Sequence, residues 1–386
     1  MTRGAAPARP RGAAGEVRAG WHNRLMTASL SPLLPLYLRE QRAGRTLVLG
    51  VLVHTQGSTY QKPGALMLFA EDGTYAGLFS GGCLEADLRE HASAVRCSGA
   101  ARTVRYDLSD PDDLIWGLGL GCEGVMQILL LPVGAHDAWQ PLAHLARAQQ
   151  TRRTTRVALV SESTVAALPA GSLLLPAGPA AAPPHATPED LLREVPARTS
   201  PVTLRRRSGA GEFSVFVFDV APPPRILLLG AGPDAVPVVE FAARLGWEVT
   251  LADHRIAYAV PSRFPAATTV LVPTDAVAQT LPLEEFAAAI VMSHHLGADL
   301  DYLRTLAHTH IPYVGLLGPR ARRDRLLAEL GPAAGRLRGR LHAPVGLPLG
   351  GRSPESIALS IIAELHGFIQ ARLAAPAPTP RLPQPG

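Results

Sequence analysis

The stretch Ile226-Leu-Leu-Leu-Gly230-Ala-Gly232-Pro-Asp-Ala235 constrains the fold more than any other part of the 386-residue chain. Its apolar run fits a buried strand, and Gly-x-Gly-x-x-Ala fits the tight turn that follows such a strand in a dinucleotide fold. An amphipathic pattern then runs through Leu245, and a second apolar run ends at Asp253. Asp253 lies 21 positions beyond Gly232, the offset of a carboxylate that binds a ribose hydroxyl. Pro233 has the φ favoured at a helix start. Asp234 acts in the other direction, because a negative charge in the first helical turn repels the pyrophosphate that the macrodipole attracts. The spacing predicts a Rossmann-type domain and leaves open whether a dinucleotide occupies it.

Pro222-Pro223-Pro224 mark where that domain starts, since three residues without N–H donors cannot join a sheet ladder or a helix interior. Beyond them, strands over 226–229, 248–252, 268–271, 289–292 and 311–316 alternate with helices, the pattern of a doubly wound parallel sheet. Before them, helices are expected over 33–43, 84–94 and 139–148, and strands over 47–54, 65–69, 104–107, 124–131, 156–160, 172–175 and 213–220. That half is a mixed α/β domain. The expected division is a disordered arm over 1–28, an N-terminal domain over 29–221, a Rossmann-like domain over 225–373 and a disordered Pro-rich tail over 374–386.

Composition narrows the class. Apolar residues make up 47% and charged residues 18%, a globular balance, and the longest apolar runs are strand-sized against the roughly 18 residues a membrane span needs. The 37 basic residues exceed the 32 acidic ones by five, but they are scattered without aromatic interleaving, which excludes a nucleic-acid interface and suits small anionic ligands. Lys62 is the only lysine, so Schiff-base chemistry has a single candidate. Three cysteines, Cys83, Cys97 and Cys122, are too few for a disulfide framework and point to a reducing compartment. Residues 1–28 hold no apolar core of a signal peptide, so the cytoplasm is the expected location.

Several short loops carry chemistry. Gly57-Ser58-Thr-Tyr-Gln-Lys62-Pro-Gly64 follows a strand and can cradle an anion between backbone N–H groups and an ammonium, or serve as an ordinary hairpin connection. Ser80-Gly81-Gly82-Cys83-Leu84-Glu85 puts a thiol near a helix N-terminus, where the dipole favours a reactive or ligating thiolate. Trp116-Gly-Leu-Gly119-Leu-Gly121-Cys122-Glu-Gly124 offers a second cysteine in a turn too glycine-rich for a helix, and an inert buried thiol is the alternative for each. Met292-Ser-His294-His295 ends a strand at the carboxyl edge of the sheet, where open α/β sheets bind ligands. Adjacent histidines on an extended segment diverge, so they do not chelate one metal together. Gly315-Leu-Leu-Gly318-Pro-Arg320 ends the next strand in the same way.

Taken together, these motifs resemble the XdhC/CoxI family of maturation factors for molybdenum hydroxylases such as xanthine dehydrogenase. The N-terminal signatures are Gly57-Ser58 with Lys62-Pro63-Gly64-Ala65, Ser80 to Glu85, and Gly117 to Cys122. Those of the second half are Gly230 to Pro233, Asp253-His254-Arg255, the 292–303 stretch, 313–320, and Pro344-Val345-Gly346-Leu347 followed by Ser353-Pro354-Glu355-Ser356. Coverage is about 30–370, and Tyr60 departs from the proline expected there. The resemblance implies a chaperone, not a turnover enzyme. Such a protein binds the molybdenum cofactor in its mono- or dinucleotide form and shelters it while a cysteine desulfurase partner installs the terminal sulfur. It then passes the cofactor to an apo molybdenum hydroxylase. A homodimer is also implied. The cofactor-binding residues expected are Gly57, Ser58, Lys62, Gly81, Gly82, Cys83, Glu85, Gly119, Gly121, Cys122, Gly230, Gly232, Asp253 and His294, with Cys83 and Cys122 towards the molybdenum. The site expected is a cleft between the domains. Two alternatives stay open: an oxidoreductase holding NAD(P) or FAD at the Rossmann domain, and a nucleotide-binding regulator.

Overall fold

The computed structural model describes residues 29–108, 124–174, 201–208 and 210–374. Gly119, Gly121, Cys122, the arm over 1–28 and the prolines over 176–188 lie outside the described residues.

The N-terminal half opens with helix α1 (Leu34–Arg42) and then builds a five-stranded sheet from β1 (Leu47–Gly57), β2 (Leu66–Phe69), β3 (Tyr75–Gly77), β4 (Arg102–Asp107) and β5 (Gly124–Val133). The order is β3-β2-β1-β5-β4 and every pairing is antiparallel. Helix α2 (Glu85–Ser98) lies between β3 and β4 in sequence, and α3 (Leu142–Gln150) follows β5. A second antiparallel sheet, β7-β6-β9-β8, comes from β6 (Thr155–Ser163), β7 (Leu173–Leu174), β8 (Val202–Ser208) and β9 (Gly211–Val220).

The uninterrupted apolar run of β1 is explained by burial of both its faces. Leu47, Leu49, Val51 and Val53 join a core with Phe216 and Phe218 of the second sheet and with α1 and α3, while Val48 and Leu52 face Leu84, Leu88 and Val95 around α2. Gly50 fits closely between them, since a Cβ there would stand 3.0 Å from the Phe79 ring and the ring would have to shift.

The second half is a six-stranded parallel sheet of β10 (Arg225–Leu229), β11 (Glu248–Asp253), β12 (Ala267–Leu271), β13 (Ala288–Val291), β14 (Val314–Leu316) and β15 (Leu341–His342). Its order, β12-β11-β10-β13-β14-β15, is that of a Rossmann domain, with the direction of winding reversing between β10 and β13. Successive residues of β10 feed opposite layers. Ile226 and Leu228 pack with α4 (Ala235–Arg244) and α8 (Pro354–Ala374), and Leu227 and Leu229 pack with α6 (Leu296–Leu306) and α7 (Arg320–Leu330). A short α5 (Val277–Thr280) follows β12. Among the described residues no helix is long and apolar enough to cross a membrane.

Candidate functional site

Strand register brings the N-terminal motif loops to one end of the five-stranded sheet. Val51 pairs with Leu66, so the Gly57 to Ala65 loop connects β1 to β2 there. Gly77 pairs with Met67, so β3 hands the chain to the Ser80 turn at the same end. Asp107 pairs with Val125 and Gly57 with Gly124, and Leu108 N–H donates to Gly124 O at 3.0 Å. The two flanks of the second cysteine turn therefore close together beside Gly57. Gly124 has to be glycine, because a Cβ would strike the Gln56 and Ser58 carbonyl oxygens at 2.6 Å.

In the first loop Gly57 and Gly64 take positive φ values of 73° and 96°. The Lys62 ammonium reaches Thr59 Oγ1 at 3.5 Å and borders a cavity of about 230 Å³ with Gly64, Leu66, Gly77 and Leu78. In the Ser80 turn, Ser80 N–H and Oγ–H donate to Glu85 Oε1 (3.1 Å) and Oε2 (2.6 Å), while the Gly82 and Leu84 amides donate back to Ser80 Oγ at 3.2 and 3.1 Å. Glu85 is 3% exposed, so its carboxylate ties the turn to α2 and is not offered to a ligand. Cys83 is half-buried against the cluster that holds Leu84 and Leu88, and it carries no disulfide. Around Gly81 and Gly82 a Cβ would meet nothing within 4 Å, so this backbone is open to approach.

At the carboxyl edge of the parallel sheet, Gly230 has φ 124° and a Cβ there would fall 2.6 Å from the backbone of Met292 and Ser293. The β10 and β13 loops thus touch at the switch point. Asp253 is fully buried, and it accepts from the Ala231 amide (2.7 Å), the Arg255 amide (2.9 Å), Arg255 Nε (2.9 Å) and Arg255 Nη2 (2.7 Å). Burial pushes the pKa of its carboxyl up, but the hydrogen bonds from Arg255 and Ala231 outweigh it and hold the carboxyl below its ordinary range. The same pairing raises Arg255, whose guanidinium also stacks 3.9 Å from the Tyr258 ring centroid.

Asp234 is the N-cap residue of α4, and its Oδ2 lies 2.7 Å from His294 Nε2. The two histidines are not on an extended segment. His294 takes φ 61°, and His295 caps α6 by accepting the Ala298 amide at its Nδ1 (3.2 Å).

Three further groups at this edge are not evident from spacing. Asp299, 1% exposed, is held by Arg322 Nε (3.1 Å) and Nη2 (2.6 Å) and by the Ser293 hydroxyl. The usable signal is an acid on the apolar face of α6, between Ala298 and Tyr302. Tyr302 is fully buried and its hydroxyl has no hydrogen-bond partner among the described residues; its pKa is pushed up by burial and then by Asp253.

No described hydrogen bond, ion pair or cavity joins Cys83 to the Gly230 edge. Among the described residues the side-chain hydrogen bonds between the two halves lie at the opposite edge, where Arg152 donates to Glu248 Oε2 (2.7 Å) and to Pro223 O (2.6 Å). A cavity of about 770 Å³ sits there among Arg152, Pro223, Arg225, Pro312 and Phe368. Connectivity is the reason: the three prolines deliver the chain to the amino end of β10, so that edge adjoins the first half.

Comparison with known proteins matches residues 226–365 to the family model described as XdhC Rossmann domain and residues 40–107 to the model described as XdhC and CoxI family. The chain is 33% identical over 330 residues to a probable xanthine dehydrogenase subunit of Bacillus subtilis, covering 82% of this chain and 92% of that one. It is 26% identical over 353 residues to "Molybdenum cofactor insertion chaperone PaoD" of Escherichia coli, covering 89% and 91%. A crystal structure described as a xanthine dehydrogenase from Bacillus halodurans superposes with a TM-score of 0.72 at 31% identity, covering 91% of this chain and 98% of that one.

Proposed function

The chain belongs to the XdhC and CoxI family, and from that premise we propose that it is an accessory protein that binds the molybdenum cofactor and inserts it into an apo molybdenum hydroxylase. The observation that carries this is the likeness to the PaoD insertion chaperone across both halves of the chain. The geometry supports it: an anionic, phosphate-bearing cargo suits open glycine backbone at Gly81 and Gly82, beside the Gly57 loop with Lys62. In this reading Gly57, Ser58, Lys62, Gly81, Gly82 and Cys83 approach the cargo, and Glu85 keeps the Cys83 turn in shape. Cys83 and Cys122 are assigned to its molybdenum or sulfur end.

The fuller course of events follows the family resemblance. A cysteine desulfurase supplies the terminal sulfur while the chaperone shelters the cofactor, and a cytoplasmic homodimer hands it on. The test is reconstitution. Purified apo-hydroxylase is mixed with this protein isolated from cofactor-producing cells, and hydroxylase turnover is followed. Activity that rises with added chaperone is expected; activity no greater than with an equal amount of free cofactor extract contradicts the reading.

A further inference from the structure

The glycine loop of the second half is arranged against the ligand its spacing advertises. In a dinucleotide fold the loop amides and the following helix N-terminus meet a pyrophosphate, and the acid at the end of the second strand meets a ribose. Here the Ala231 amide already donates to Asp253, and Asp253 accepts four N–H groups from Ala231 and Arg255, which leaves no carboxylate oxygen for a sugar hydroxyl. The helix N-terminus carries the Asp234 carboxylate, whose charge repels phosphate.

Asp234 is itself only half satisfied. Its Oδ2 is paired with His294, but its Oδ1 is buried with no hydrogen-bond partner among the described residues and lies 2.5 Å from where a Cβ on Gly232 would stand. Buried polar atoms in native proteins are normally paired. Two more buried atoms of the same edge have no hydrogen bond among the described residues: the Tyr302 hydroxyl, close enough to Asp253 and Arg255 to feel both charges, and His254 Nδ1, which lies 3.6 Å from Asp253 Oδ1. The residue that covers Asp234 is a removable one. His294 is 59% exposed and held at φ 61°, a conformation costly to a side-chain-bearing residue.

A carboxylate with two acceptor oxygens matches a ligand edge with two adjacent N–H donors. The 2-amino group and ring N–H of a 2-amino-4-oxopteridine form such an edge. We propose that Asp234 is the acceptor for the amino–imino edge of a pterin at the switch point between β10 and β13, with His294 occupying that acceptor until the ligand displaces it. The proposal rests on the molybdenum-cofactor reading above and names the part of the cargo this edge recognises. It also makes Asp234 the residue that turns dinucleotides away.

Calorimetric titration of the full chain with free pterin, and separately with NAD+, tests it. Pterin binds the wild-type chain at least tenfold more tightly than NAD+ does. Asp234→Asn weakens pterin binding about tenfold, since an amide offers one acceptor and turns a donor towards the ligand, whereas His294→Ala binds pterin as tightly or more tightly. Circular dichroism checks that each variant is folded, and His294→Ala alters only an exposed side chain if Asp234→Asn fails that check. Unchanged pterin affinity in Asp234→Asn, weaker affinity in His294→Ala, no pterin binding by wild type, or NAD+ binding as tightly as pterin overturns the proposal. Full cofactor retention by Asp234→Asn after co-expression removes this inference and leaves the chaperone reading intact. Absence of any pterin on the wild-type chain removes the chaperone reading itself.

Discussion

Replacing Arg255 by methionine isolates what the buried Asp253 contributes. The variant loses the Nε and Nη2 hydrogen bonds to a fully buried carboxylate but keeps an unbranched apolar stem beside Tyr258. Removing one partner of a buried ion pair costs about 3–5 kcal/mol, because the other charge stays behind. The amides of Ala231 and Arg255 remain, so the lower end, about 3 kcal/mol at pH 7, is expected. With a urea slope of about 1–3 kcal/mol per molar, the unfolding midpoint falls by about 1–3 M.

The pH dependence carries the stronger prediction. In the wild type the folded-state pKa of Asp253 is depressed, so its stabilisation is present above the unfolded-state pKa and fades as pH falls through the folded one. In Arg255→Met the largest depressing influence is gone and burial, which raises the pKa, dominates. The variant is then penalised at neutral pH and recovers on acidification, when Asp253 can fold protonated. Urea melts followed by circular dichroism at pH 7 and pH 4.5 should show a smaller gap between wild type and variant at the lower pH. A loss under about 1 kcal/mol at pH 7, or an equal loss at both pH values, would refute the reasoning.

Other substitutions probe separate parts of the structure. Gly230→Ala places a Cβ 2.6 Å from Met292 and Ser293 backbone at φ 124°, so a loss of at least about 2 kcal/mol in thermal unfolding is expected. Glu85→Gln weakens the hold on Ser80, costing about 1–2 kcal/mol and speeding iodoacetamide labelling of Cys83, read by mass spectrometry; labelling at the wild-type rate contradicts the role given to Glu85. Tyr302→Phe removes a buried hydroxyl that has no hydrogen-bond partner among the described residues, so stability in urea is unchanged or rises by up to about 1 kcal/mol.

The sequence is most legible where burial is complete. Strands β1, β5 and β10 are enclosed on both faces, so their apolar runs stand out, and the turn at Gly230 follows from spacing. Strand β8 does not stand out: it is a sheet edge in which only Val202 and Leu204, separated by Thr203, are apolar, so the following Arg205 to Arg207 look like a basic patch. Strands β3 and β15 have three and two residues, too few for a period to show.

At the candidate site, spacing singled out residues but could not name their partners. Asp253 is at the offset of a ribose acceptor, yet nothing in spacing says that Arg255, two residues on, folds back onto it. The Asp299–Arg322 pair joins positions 23 apart and is set by the packing of α6 against α7. Glu85 could be singled out from its place after two glycines and a cysteine, but its work, tying down Ser80, depends on the start of α2.

The most direct test of the account is the composition of the protein as cells make it. The chain is purified anaerobically after co-expression with a molybdenum hydroxylase, and molybdenum and oxidised pterin are quantified per chain. Molybdenum and pterin in equal amounts on the wild type, and a marked loss of both in the Cys83→Ser, Cys122→Ser double variant, are what the account predicts. A folded wild-type chain that carries neither would contradict it.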